Sequence, residues 1–73
     1  MPTIRVESEV AGKVWKIEAK VGDALADEAT ILILESMKME IPVLAPEPGR
    51  LADILVAEGD VVDEGQVLAV MDV

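Results

Sequence analysis

The sequence has no cysteine, histidine, tyrosine or phenylalanine, and only one tryptophan. Without cysteine there is neither a disulfide framework nor a thiolate site, so a reducing compartment, the cytoplasm, is the expected location. Positive charge is scarce too: six Lys and Arg stand against fifteen Asp and Glu, giving a net charge of -9 with no basic cluster. Nucleic acid and anionic membrane surfaces are therefore excluded as expected partners, because binding them requires positive charge to neutralise phosphate. Long apolar runs are missing as well. The longest, VLAVM at 67–71, is far short of a membrane span, and the start MPTIRVESEV has no signal-peptide core.

Size sets the next limit. A chain of 73 residues is expected to form one monomeric domain, residues 1–73, that buries only about 60% of its unfolded surface. That leaves no room for an enclosed substrate cavity with a catalytic shell, so the chain is not expected to be an enzyme. What it does contain is apolar but small or β-branched: eleven Val, nine Ala, seven Leu and six Ile. Such a composition suits a thin core between packed strands.

An internal repeat organises the chain. AGKVWKIEAKVGDALADEATILIL (11–34) aligns without gaps on PGRLADILVAEGDVVDEGQVLAVM (48–71), an offset of 37 residues from Gly12 to Gly49. Gly12 meets Gly49, Ile17 meets Ile54, and Gly22-Asp23 meets Gly59-Asp60. These matches report shared turns, since glycine tolerates positive φ and Asp hydrogen-bonds the turn's own amides.

The repeat also resolves a conflict. ALADEATILILESMKME (24–40) has helix-favouring composition, yet its second copy, VVDEGQVLAVM, is β-branched and interrupted by Gly65. If the halves share a fold, both are strands. Strands are then expected near 3–7, 13–20, 31–36, 39–45, 50–57 and 67–72, with brief extended pieces at 24–26 and 61–63, forming an all-β sandwich or flattened barrel.

One hairpin breaks local rules. With Met37 and Lys38 as its loop, Ser36 faces Met39, Glu35 faces Glu40 and Leu34 faces Ile41, each pair of numbers adding to 75. Two-residue hairpin loops favour Asn-Gly or a leading Gly, so Met-Lys is sterically costly there. Glu35 opposite Glu40 also sets like charges across the strand pair. Local violations of this kind mark candidate functional sites. Shifting by 37 residues maps Leu34 and Ile41 onto Met71 and Ile4, whose numbers again add to 75. The pseudo-twofold mate of the lysine tip is therefore the place where the first and last strands meet, and the tip is expected to stand clear of both termini.

Together, Gly12, Gly22-Asp23, Glu35-Ser36-Met37-Lys38-Met39, Ala45-Pro46, Gly49, Gly59-Asp60 and Gly65-Gln66 resemble a biotinyl (biotin carboxyl carrier) domain, most closely the short single-domain biotin/lipoyl attachment proteins. The resemblance implies a hammerhead, or barrel-sandwich hybrid, of two four-stranded antiparallel sheets. It implies that Lys38 is covalently biotinylated by a biotin protein ligase, with Glu35, Met37 and Met39 in ligase recognition. The biotin would then carry carboxylate between a biotin carboxylase and a carboxyltransferase, the chain itself being non-catalytic.

Lipoate is the alternative cargo, alone or alongside biotin, since lipoyl domains share the fold. Their usual tip is Asp-Lys-Ala, and Met37 and Met39 favour biotin. A non-carrier adaptor on the same barrel is a third reading, against which the intact Met-Lys-Met argues. Glu28-Ala29 departs from the pattern, standing where Gly-Gln is usual and where Gly65-Gln66 stands in the second copy, so altered geometry or strain is expected there. Trp15 is read as a core or edge filler, and the carboxylates as solvated surface without metal-binding or acid–base roles.

Overall fold

A computed structural model of the chain describes residues 2–73. Its elements are β1 (Thr3–Glu7), β2 (Gly12–Ile17), β3 (Ala24–Leu25), β4 (Thr30–Ser36), β5 (Met39–Leu44), β6 (Gly49–Ile54), β7 (Val61–Val62) and β8 (Val67–Asp72). They form two four-stranded antiparallel sheets, β1-β8-β6-β3 and β5-β4-β2-β7. Among the described residues there is no helix, and the segment 24–40 is β3, β4 and the start of β5 joined by turns, despite its composition. Tertiary pairing with β2 and β5 overrides propensity there.

The expected strands are all present, with two corrections at their ends. β2 stops at Ile17 and β6 at Ile54, three residues earlier than the sequence suggests. The chain turns a corner at each place: Glu18 N–H and Ala19 N–H both donate to the Ile31 carbonyl, and the Leu55 N–H donates to the mate of that carbonyl on Leu68.

The pseudo-twofold extends to individual hydrogen bonds. Gly22 N–H donates to Leu51 O and Gly59 N–H to Val14 O, each at 2.8 Å, so each half's turn is closed by the other half's strand. Within the turns, the Asp23 carboxylate accepts from Lys20 N–H and the Asp60 carboxylate from Ala57 N–H, both at 2.9 Å. These are the bonds from Asp to its own turn's amides expected from the repeated Gly-Asp. β2 and β6 even share a register shift, between Val14 and Lys16 and between Leu51 and Asp53.

The core lies between the sheets and follows the same symmetry. Val14 and Leu51, Leu34 and Met71, and Ile31 and Leu68 are mates, and all six are fully buried. Gly12 and Gly49 mark where the backbones cross most closely. A Cβ on Gly12 would lie 2.7 Å from the Glu35 carbonyl oxygen, and one on Gly49 would collide with the carbonyl oxygen of Asp72, the mate of Glu35. Glycine is required at both crossings.

Candidate functional site

The β4–β5 hairpin has the expected register: Leu34 faces Ile41, Glu35 faces Glu40 and Ser36 faces Met39. Met37 and Lys38 form its two-residue loop, with φ of 52° and 65°. Positive φ at both central positions is the type I′ arrangement, whose twist matches that of the flanking strands. It is ordinarily filled by Asn-Gly, so two residues with long side chains are held here against their backbone preference.

The tip is open. Met37 is 92% and Met39 64% exposed, which rules out a role for either as core filler, and Lys38, Glu35 and Glu40 are also exposed. Below the tip the hairpin is firmly based: Ser36 Oγ–H donates to Ala11 O at 2.9 Å, and Gly12 lies against the Glu35 backbone. At the pseudo-twofold position the terminal strands meet instead, with Ile4 facing Met71 and the Val73 N–H donating to Pro2 O at 3.0 Å. The structure therefore brings Glu35, Met37, Lys38 and Met39 together on one hairpin end, based on a rigid four-stranded sheet.

Two features of this region are not visible in the residue pattern. Lys13 of β2 stands directly across from Glu35, so Glu35 has a cation on one neighbouring strand as well as Glu40 on the other, which eases the like-charge pairing. Trp15 is not a core filler: it is 48% exposed, lining a shallow recess of about 260 Å³ with Lys13, Val14, Glu35 and Gly59. The extra residue in the β2 register between Val14 and Lys16 re-aims its side chain, as bulges do, and alternation alone does not reveal that. Away from the tip, at the turn where the sequence leads one to expect altered geometry or strain, Glu28 keeps the turn geometry of its mate Gly65, with φ of 65° against 84°. The departure there produces strain, not altered geometry, and the Glu28 N–H bond to Ala45 O repeats the Gly65 N–H bond to Ser8 O.

Among the described residues, no group of three or more acidic side chains is placed to hold a metal ion, and no helix is long and apolar enough to cross a membrane. The site consists of an exposed amine on a strained, firmly based turn. Such a site fits a covalently attached group, which needs access rather than an enclosing pocket.

Comparison with known proteins agrees. The chain is 44% identical over 63 residues to the biotin/lipoyl attachment protein of Bacillus subtilis, covering 86% of each. It is 35% identical over 75 residues to the dihydrolipoyllysine-residue succinyltransferase component of the 2-oxoglutarate dehydrogenase complex of Staphylococcus saprophyticus, spanning 18% of that protein. Its fold superposes on part of the urea carboxylase of Kluyveromyces lactis with a TM-score of 0.94 and 35% identity, over 99% of this chain and 6% of that one. The biotin/lipoyl family model, described as that of biotin-requiring enzymes, matches residues 1–71. With nearly every residue covered and both sheets reproduced, the chain belongs to the biotin/lipoyl domain family.

Proposed function

We propose that this chain is a biotin carboxyl carrier, that residues 1–73 act as one monomeric carrier domain, and that a biotin protein ligase attaches biotin to Lys38. The observation that carries this reading is the tip itself. Met37 and Lys38 occupy a type I′ turn that Asn-Gly would fill with less strain, and the flanking methionines face solvent. Neither packing nor backbone preference accounts for those residues; presentation of a lysine to another protein does. Adaptable methionine side chains on both sides of the amine suit recognition by an enzyme surface, with Glu35 contributing from the strand below.

An ordinary lysine amine is neutral in only about one molecule in a few thousand at pH 7. Attachment therefore relies on the ligase, which presents an activated biotinyl-adenylate from which the Lys38 amine displaces AMP. Biotin held on Lys38 would supply a ureido nitrogen able to carry carboxylate between a biotin carboxylase and a carboxyltransferase. The chain's own residues hold the attachment point on a rigid base and leave it unobstructed, with no catalytic part in either reaction.

Lipoate is the second reading, supported by the similarity to a dihydrolipoyllysine-bearing protein. Incubation with biotin, ATP and a biotin protein ligase is expected to add one biotinyl group by intact mass, and Lys38→Ala to add none. An unmodified wild type, or a modified mutant, sinks the assignment. A parallel incubation with lipoate and a lipoate ligase distinguishes the cargoes, and failure of both favours an adaptor that carries nothing.

A further inference from the structure

The pseudo-twofold supplies an internal control for every exposed side chain, because each backbone position in one half has a mate doing the same structural work in the other. Across the outer face of the β5-β4-β2-β7 sheet, one row in register runs Glu40, Glu35, Lys13, Val61. The matching row on the other sheet runs Thr3, Asp72, Arg50, Ala24. Several exposed apolar side chains set these faces apart, Leu44 against Glu7 at the far end of β5 among them, and two of them lie on β2 and β7. Val61 is 78% exposed where its mate is Ala24, and Trp15, two residues beyond Lys13, is 48% exposed where its mate is Ala52.

Alanine at positions 24 and 52 satisfies the same strand pairing and the same register shift. The fold therefore has no use for a tryptophan or a valine at 15 and 61. Both larger residues lie on the sheet that ends in the lysine hairpin.

Distance places them in one footprint with the tip. At about 3.3 Å per residue along a strand and about 4.8 Å between strands, Trp15 and Val61 lie roughly 15–20 Å from Lys38. A standard interface of about 800 Å² per partner, some 30 Å across, would cover both when engaged at the tip. Tryptophan is also the residue type most often found as an energetic anchor in such patches.

Resting on the proposed function, we infer that Trp15, supported by Lys13, Glu35 and Val61, is a lateral anchor by which the enzyme that acylates Lys38 grips this protein. Recognition then extends from the hairpin tip down the outer face of β2 and β7. Trp15 is a positioning residue for the acylation and takes no part in its chemistry.

The test is biotinylation by a biotin protein ligase followed by intact mass, together with ¹⁹F NMR of protein whose only tryptophan is 5-fluorotryptophan. Trp15→Ala is expected to raise the KM for the carrier by about tenfold or more with kcat unchanged, and Trp15→Phe to recover part of the loss. In the non-acceptor Lys38→Ala background, adding ligase is expected to shift or broaden the single ¹⁹F resonance. An unchanged KM for Trp15→Ala, a fall in kcat alone, or a resonance indifferent to ligase overturns the proposal. So does a resonance that moves only after wild-type biotinylation with no ligase present, because the tethered cofactor would then be what covers Trp15. A wild type that gains no mass refutes the biotin assignment first and takes this inference with it, so the two failures are distinguishable.

Discussion

The two halves of this chain fold onto the same backbone yet differ in what they place on it. Where they agree, in the Gly-Asp turns, the crossing glycines and the buried mates such as Val14 and Leu51, the residues serve the sandwich. Where they differ, the simpler residue falls now in one half and now in the other. Glu28 takes the strained position that Gly65 fills without strain, and Ala26 and Ala29 replace Asp63 and Gln66, whose side chain accepts from the Asp63 N–H at 3.0 Å. Trp15 and Val61 replace two alanines, and the Met37-Lys38 turn stands where the other end has paired termini. Differences on the outer face of the hairpin sheet are candidates for function. Those at the Glu28 turn lie elsewhere, and the proposed function makes no use of them.

Substitutions at mated positions probe this division directly. The largest effect is expected at the crossings: Gly12→Ala and Gly49→Ala each drive a methyl group into a backbone carbonyl and should cost about 1–3 kcal/mol in urea unfolding. Similar losses would uphold the symmetry, and a tolerated change at either glycine would break it. A smaller effect is expected at the strained turn. Glu28→Gly removes a left-handed glutamate at the expense of a more flexible unfolded chain, for a net gain of about 0.5–1 kcal/mol, and Gly65→Glu should lose a similar amount. Thermal melting of the two variants checks the opposite signs. The smallest stability change belongs to the tip, where Met37→Asn should stabilise by roughly 0.5 kcal/mol because asparagine tolerates positive φ, while slowing acylation of Lys38. Faster acylation with unchanged stability would show that the methionine is neither strained nor recognised.

Much of this architecture was legible in the residues because the fold is written twice. Two copies of Gly-Asp fixed the offset, the offset overruled the helix-like composition of 24–40, and the hairpin register followed from pairs adding to 75. The strand ends at Ile17 and Ile54 were hidden because the corners are made by backbone bonds to the Ile31 and Leu68 carbonyls, which leave no side-chain signature. The exposure of Trp15 escapes the residue pattern for a similar reason. Its exposure depends on a register shift between Val14 and Lys16, and in periodicity an outward tryptophan looks like any apolar strand residue. The Lys13–Glu35 juxtaposition came from long-range pairing, which no local pattern encodes. The strain at Glu28 was legible only because its mate is a glycine.

The connectivity has a kinetic consequence. Among the described residues, β4–β5 is the only pairing between strands adjacent in sequence; the others join β1 to β8, β2 to β4 and β7, β3 to β6, and β6 to β8. Loop closure is cheapest for the shortest loop, and folding slows as contacts become less local. The turn that presents Lys38 is thus also the least expensive long-lived contact for an unfolded chain to make, and its steric strain falls on the one step the rest of the topology leaves easy.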